Sequence, residues 1–271
     1  MRKSRKSFNK ESAVSETVGF IIIFGIMMTG IGLVTLYGYP LLLQEQSNAN
    51  IRNMERNMIV LQNEINGLTY KNIPYQETTL QVSGGTLMVD QDPGTMPYFE
   101  IKMPMSTDPY PSPNPIPFYL GKLEFLSDDG TTVIVLENGA VHKRYWSDPT
   151  GSVMIAEPRW FLDDDTFVMS FIRINATNDM AQTGIGTVSM MITDSSEEIY
   201  DLTASGNAVK VTYNADFVDN YNIAWRNYFN SPELMMIYDL GDSNGFKSVF
   251  SLDNNIDYVV IKTYNITVLS L

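Results

Sequence analysis

From Val18 to Leu43 the chain reads VGFIIIFGIMMTGIGLVTLYGYPLLL, a run without one ionisable acid or base. Wound as a helix at ~1.5 Å per residue, it covers about 39 Å, more than the roughly 30 Å of bilayer hydrocarbon. Core helices of soluble proteins are rarely both this long and this bare, so the run reads as a single membrane-spanning helix. Within residues 1–12 Arg2, Lys3, Arg5, Lys6 and Lys10 face only Glu11, whereas Arg52, Arg56 and Lys71 beyond the run are balanced by acids. This asymmetry predicts residues 1–12 on the cytoplasmic side and the rest outside. A cleaved secretory signal fits less well. The apolar run is too long for one, and Tyr37, Tyr39 and Pro40 stand where a small-residue cleavage site would be.

Within the run, Gly19, Gly25, Gly32 and Gly38 recur every six or seven residues, with Gly30 close by. Glycine costs ~1 kcal/mol in a helix interior, and five in one span point to a surface where other helices approach closely. The plainer alternative is that membrane helices simply tolerate glycine. Beyond Leu43 the apolar residues fall at Ile51, Met54, Met58, Leu61, Ile65 and Leu68, alternately three and four apart, which is a helical seam. Three heptads are few for a coiled coil, so the seam is expected to pack on its own domain or a neighbour. Asn66-Gly67 predicts the helix stop and Pro74 enforces it. If Pro40 only kinks the chain, one helix of about 75–80 Å runs from about Ser15 to Asn66.

From Thr78 onward the hydrophobic period shifts towards two. LQVSGGTLMVD reads as two short strands around Gly84-Gly85. GKLEFLSDDGTTVIVLENGAVHKRYW reads as an antiparallel meander with turns at Asp129-Gly130 and Asn138-Gly139. Further strands follow, and the strand-like TYNITVLSL is expected to complete the sheet. DPYPSPNPIPF at 108–118 is too rich in proline to pair and reads as a surface loop. One helix interrupts the strands, with Phe217, Tyr221, Trp225 and Tyr228 on one face and Asn230-Ser231-Pro232 ending it. The predicted class is therefore α+β: a basic leader (1–12), a transmembrane or filament-core helix (13–43), an amphipathic extension (44–70) and a mainly antiparallel β-sandwich or barrel head of eight to ten strands with one short helix (75–271).

Chemistry is sparse. The chain has no cysteine and one histidine, which removes disulfides, thiol nucleophiles and most imidazole catalysis. Its net charge of −13, with five of the bases in the leader, repels phosphate backbones, so nucleic acid is not an expected partner. Asp163-Asp164-Asp165 resembles a hard-cation patch, and Asp239 to Gly245 faintly a calcium loop, but an acid run in a loop is usually just solvated. His142, on an alternating strand, reads as an exposed strand residue. Asn175 and Asn265 head N-x-T sequons, acceptor sites for a glycan in an exported chain. No cofactor, metal or catalytic set is expected.

The opening KSRKSFNKES–AVSETVGFIIIFG resembles the class III signal peptide of archaeal type IV pilins and archaellins: a basic leader, a small-residue processing site, a polar turn and an apolar helix. AVSETVG is similar to the block that opens many archaeal pilin-like proteins. LENGAVHKRYW with GSVMIAEP resembles a sub-group of their outer domains. The resemblance covers residues 1–45 best. It implies that a membrane aspartyl prepilin peptidase cuts between Ser12 and Ala13 and leaves the helix attached. Glu11 departs from the family's pattern, in which a base or a neutral residue precedes the small one. Partners implied are the membrane, the peptidase, copies of the chain or other pilins, and a pilus assembly machinery. The implied place is the cell membrane, crossed once, and a surface filament.

Glu16 then acquires a physical role, since a carboxylate in apolar surroundings needs a neutralising cation. The α-amino group freed at Ala13 of an adjacent subunit would supply it and set axial register. The alternative is helix capping, with Ser15 as N-cap and Glu16 in the first turn. The expected function is thus a pilin-like filament subunit, either a major one or one of minor or adhesin type. Its rivals are an uncleaved signal-anchored surface protein that binds a ligand and, less favoured, a membrane-tethered hydrolase.

Overall fold

A computed structural model describes residues 10–71, 73–90, 97–105, 107–204, 209–215, 220–252 and 256–271, without the side chains of 10–16, 149 and 150. The chain divides into two compact units, Met1–Ala49 and Asn50–Leu271.

The first unit is helical, and its last helix continues in sequence past Ala49 as the first element of the second. Helix α1 (Lys10–Leu33) passes into a five-residue π turn, Val34–Gly38, and then into α2 (Tyr39–Tyr70). The π turn stands directly before Pro40, whose ring would crowd the carbonyl four residues back and which has no N–H to offer it. A widened turn, closed by the Tyr39 N–H on the Val34 carbonyl, takes up that mismatch within the helix. Ser15, expected as an N-cap, lies inside α1, because helical backbone already begins at Lys10. At the far end the helix does not stop at Asn66-Gly67 but runs to Tyr70. Gly67 serves there as a point of close approach: a Cβ on it would lie 3.1 Å from the Gln76 side chain.

The second unit is built on two sheets. In chain order the strands are β1 (Tyr75–Asp90), β2 (Tyr98–Lys102), β3 (Ile116–Tyr119), β4 (Lys122–Ser127), β5 (Thr132–Glu137), β6 (Ala140–Tyr145), β7 (Asp148–Ala156), β8 (Phe161–Asp163), β9 (Thr166–Ala176), β10 (Ala181–Asp201) and β11 (Val209–Asn214). Helix α3 (Asn222–Phe229) follows, then β12 (Ile237–Tyr238), β13 (Lys247–Leu252) and β14 (Tyr258–Ser270). One sheet has nine strands in the order β7-β6-β5-β4-β1-β10-β14-β9-β8, and the other five, β12-β13-β11-β2-β3. Among the described residues all strand pairings are antiparallel except β14 with β9. The fourteen strands among the described residues exceed the eight to ten expected. Long strands that change partners, and short edge strands, leave weak marks on the hydrophobic pattern.

Alternation along the strands gives the nine-stranded sheet two buried faces. On one, Leu80, Val82, Leu87, Phe125, Leu136, Ile174, Val188 and Val268 meet the helical seam Ile51, Met54, Met58, Leu61, Ile65 and Leu68. The seam therefore packs on its own domain. Two polar ties fix it: Gln62 Nε2 donates to the Gly139 and Glu157 carbonyls at 2.7 and 2.9 Å, and Lys143 pairs with Glu55 at 2.7 Å. On the other face Val133, Val135, Phe167, Phe171 and Ile261 meet Phe99, Ile101, Val211, Tyr213 and Phe250 of the five-stranded sheet, with α3 between. Trp225 sits among Phe99, Phe229 and Tyr213, with ring centroids 4.9, 5.5 and 5.9 Å away. Strand β5, covered on both sides, is buried at every position.

Two local expectations change. Gly84-Gly85 does not separate two strands; β1 is continuous, with an irregularity between Val82 and Leu87 in its pairing with β10, near where β4 joins its other edge. The proline-rich stretch ends in a strand, since β3 contains Pro117 and pairs with β2. That position is a sheet edge, where a missing N–H faces no partner. The expected turns at Asp129-Gly130 and Asn138-Gly139 are present, with positive φ at Asn138 (48°), Gly139 (72°) and Gly130 (65°).

Candidate functional site

The residues with an assembly or membrane role by sequence lie in the first unit. From Val18 to Leu43 the large apolar side chains are exposed; Phe20 is 69 % and Leu36 70 % accessible. The helix through Thr17–Tyr70 contains a stretch of mean hydropathy 2.3 with no burial, long and apolar enough to cross a membrane. The two threonines between Val18 and Leu43 suit such a medium: Thr29 Oγ1 donates to the Gly25 carbonyl at 2.8 Å and Thr35 Oγ1 to Ile31 at 2.9 Å, so neither needs water. Gly19, Gly25, Gly30 and Gly32 have open space where a Cβ would stand. Seven residues bring Gly25 and Gly32, and eleven bring Gly19 and Gly30, to within about 20° of one another around the axis. The glycines thus form two separate strips. Gly38 falls in the π turn, off both, and a Cβ there would contact Val34 at 3.6 Å.

Ser12, Ala13 and Glu16 lie within α1, and their side chains are outside the described residues, as is the basic leader up to Asn9.

In the second unit the sequence candidates separate. Asn175 (β9) and Asn265 (β14) are both half-buried in the nine-stranded sheet. The amide nitrogen of Asn265, the atom a glycan would take, is within 3.4 Å of Asp194 as its donor. Asp163, Asp164 and Asp165 form the turn between β8 and β9, with Asp164 at φ 48°. Among the described residues they converge with no other group into a three-ligand cation site. In the loop after β12, Asp239 Oδ1 accepts from the Gly241 and Asp242 N–H groups, and Lys210 Nζ lies 3.3 Å from Asp239 and 3.2 Å from Asp242. The cation of that loop is a lysine. Its ammonium holds the Asp239 carboxyl below the usual carboxylate range.

His142 is not an exposed strand residue. It is fully buried, its ring 5.0 Å from that of Tyr221 and 5.2 Å from that of Trp225, and among the described residues neither ring nitrogen has a hydrogen-bond partner. Burial alone pushes its pKa down to about 3, so it is a neutral packing residue. The inward face of β6 and the residue before it on β5 form a polar island in the aromatic core. Glu137 Oε1 lies 3.3 Å from Tyr213 Oη and 3.4 Å from Trp225 Nε1, both donating, and Arg144 Nε donates to Tyr221 Oη at 3.3 Å. Alternation alone could have placed 140, 142 and 144 on one face, but not said that both faces are covered.

Sequence reading passed over a polar cavity of about 280 Å³ beside α3, lined by Asn220, Asn222, Arg226, Tyr238 and Ser248 among others. Asparagine, arginine and tyrosine scattered over thirty positions give no spacing to recognise.

No curated protein and no solved structure matches the chain. A family model matches residues 13–268, nearly the whole length, so the chain belongs to the family described as a family of unknown function, DUF7289.

Proposed function

We propose that this protein is a type IV pilin-like subunit: inserted with residues 1–12 on the cytoplasmic side, trimmed by a prepilin peptidase between Ser12 and Ala13, and assembled through its apolar helix into a surface filament. The observation that carries this is the uncovered apolar surface from Val18 to Leu43, which nothing in its own unit buries. At ~25 cal/mol per Å² such a surface is held out of water by a strong free-energy gradient, and lipid is one cover for it. Two glycine strips on different sides of one helix favour a further cover, neighbouring helices on more than one side. A plain anchor needs neither strip. The family match starting at residue 13, the residue that would head the processed chain, is in keeping with this.

Assembly then proceeds by exchange of lipid for helix contacts, with the β-rich unit outward and Glu16 paired to the α-amino group of a neighbour's Ala13. The subunit serves as a structural or an adhesin-type member of the fibre.

The decisive test is made in the native host. Mass spectrometry of the mature N-terminus should find Ala13 first, and the chain should co-purify with shed filaments. An intact residue 1–12 on a protein that stays monomeric in the membrane would instead establish the signal-anchored alternative. A Glu16→Ala chain that assembles as well as the wild type would remove the register role alone.

A further inference from the structure

Strand β10 outruns its neighbour. It pairs with β1 only as far as Met191, but with β14 through to Asp201. Ile192 makes the last backbone bond on the β1 side, its N–H donating to the Pro74 carbonyl at 3.3 Å. Among the described residues the next backbone contact on that side is an isolated antiparallel bridge between Asp201 and Asp108. In between, residues 193–199 are exposed without a break. Asp201 donates to the Asp108 carbonyl at 2.7 Å and accepts from its N–H at 3.0 Å, so both its backbone groups turn to the open side. Leu202, next along, turns the other way and donates to Asp257 at 2.7 Å. Alternation therefore turns the N–H and C=O of Ser195, Glu197 and Ile199 outward as well. The opening is about 23 Å long at ~3.3 Å per residue.

Side chains along this edge are of two kinds. Register sets Ile199 opposite Val260, Val260 opposite Val168 and Val168 opposite Phe161, an apolar row across β10, β14, β9 and β8. Its ends, Ile199 and Phe161, are 55 % and 50 % exposed. Before Ile199 stand the carboxylates of Asp194, Glu197 and Glu198, and Lys262 pairs with Glu197 at 2.9 Å. A second copy fits this edge poorly. Two copies that paired all their outward residues would set Glu197 directly against Glu197, and like charges opposite one another destabilise a ladder. A strand with lysine or arginine at the facing positions meets opposite charge instead.

We propose that this edge takes up an extended basic segment of a partner protein as an added strand, antiparallel as β1 and Asp108 are on the same side. Main-chain hydrogen bonds to Ser195, Glu197 and Ile199 hold the segment, and its side chains select it. The residue opposite Ile199 is apolar and lengthens the row. Those opposite Asp194, Glu197 and Glu198 are basic. The edge stands apart from the filament reading, since an anchored monomer would carry it equally.

The full chain, in micelles of a non-ionic detergent, is titrated into the dye-labelled heptapeptide VKKTTKT, and fluorescence anisotropy reads binding. The peptide sets its valine opposite Ile199 and its lysines opposite Glu198, Glu197 and Asp194. Saturation below about 1 mM is expected, with about tenfold weaker binding of VEETTET. N-methylation of the third residue, whose N–H meets the Glu197 carbonyl, keeps the charge and should weaken binding about tenfold. Ser195→Pro removes an outward N–H and no bond to β14, so it should weaken the peptide similarly while the β-rich unit melts as before. The N-methylated peptide, read on the wild type, carries the test if that variant does not fold. Absence of saturation, equal binding of the acidic peptide, indifference to N-methylation, or undiminished binding by a folded Ser195→Pro would each overturn the assignment. So would a concentration-dependent dimer that Ser195→Pro abolishes, which would name a second copy as the occupant.

Discussion

At Gly85 a methyl group has nowhere to go. A Cβ built there would stand 2.3 Å from the Leu126 carbonyl oxygen and 2.4 Å from the Phe125 ring, and the first of these is backbone of the paired strand β4. Gly85→Ala should therefore destabilise the β-rich unit by about 1–3 kcal/mol, the ordinary cost of overpacking, read as a lower denaturation midpoint at unchanged slope. His142 makes a prediction with a sign. Its folded pKa of about 3 lies below the ordinary 6.5, so between those values the unfolded chain binds a proton that the folded one refuses. The stability it permits is complete above about pH 6.5 and is lost as pH falls towards 3, at up to about 1.4 kcal/mol per pH unit. Unfolding free energies of wild type and His142→Phe, compared from about pH 6.5 to 4.5, should diverge by roughly 2–3 kcal/mol in favour of the variant. A constant difference would mean that the imidazole finds a proton partner in the fold.

Among elements, α2 is the one the sequence described best, because six apolar residues alternating three and four apart leave no second interpretation. Met58 and Leu61, wholly buried in that seam, should each cost about 2–5 kcal/mol when cut to alanine. Ile21→Ala, on the exposed stretch, should leave the melting of the β-rich unit unchanged. Gly25→Leu and Gly32→Leu, which fill one open strip, should reduce recovery of the chain in shed filaments without moving that melting point. Full recovery with both substitutions would exclude this strip as a packing surface. What the sequence hid follows from physics too. Pro117 argued against a strand, yet an edge tolerates it, and edges are set by the whole sheet rather than by local residues. The π turn before Pro40 and the burial of His142 are likewise answers to surroundings that no window of residues contains.

For the whole molecule, the helix-then-β order and the meander from β4 to β6 were legible in periodicity and turn residues. The boundary of the β-rich unit was not. Placed at Tyr75 by the change in hydrophobic period, it falls at Asn50 once the seam is seen to share a core with the nine-stranded sheet. A chain covering 50–271 should be soluble and melt cooperatively, whereas one covering 75–271 should aggregate, since it leaves one face of that sheet bare. Equal behaviour in size-exclusion chromatography would show the seam to be dispensable. Strand β14 lies between β10 and β9, inside the sheet the seam covers, and is made after every other described strand. Synthesis from the N-terminus therefore delivers the covering helix long before the surface it covers is whole. Until then the seam must stay shielded, and a stalled or clipped nascent chain would offer it as a sticky end rather than as a half-formed domain.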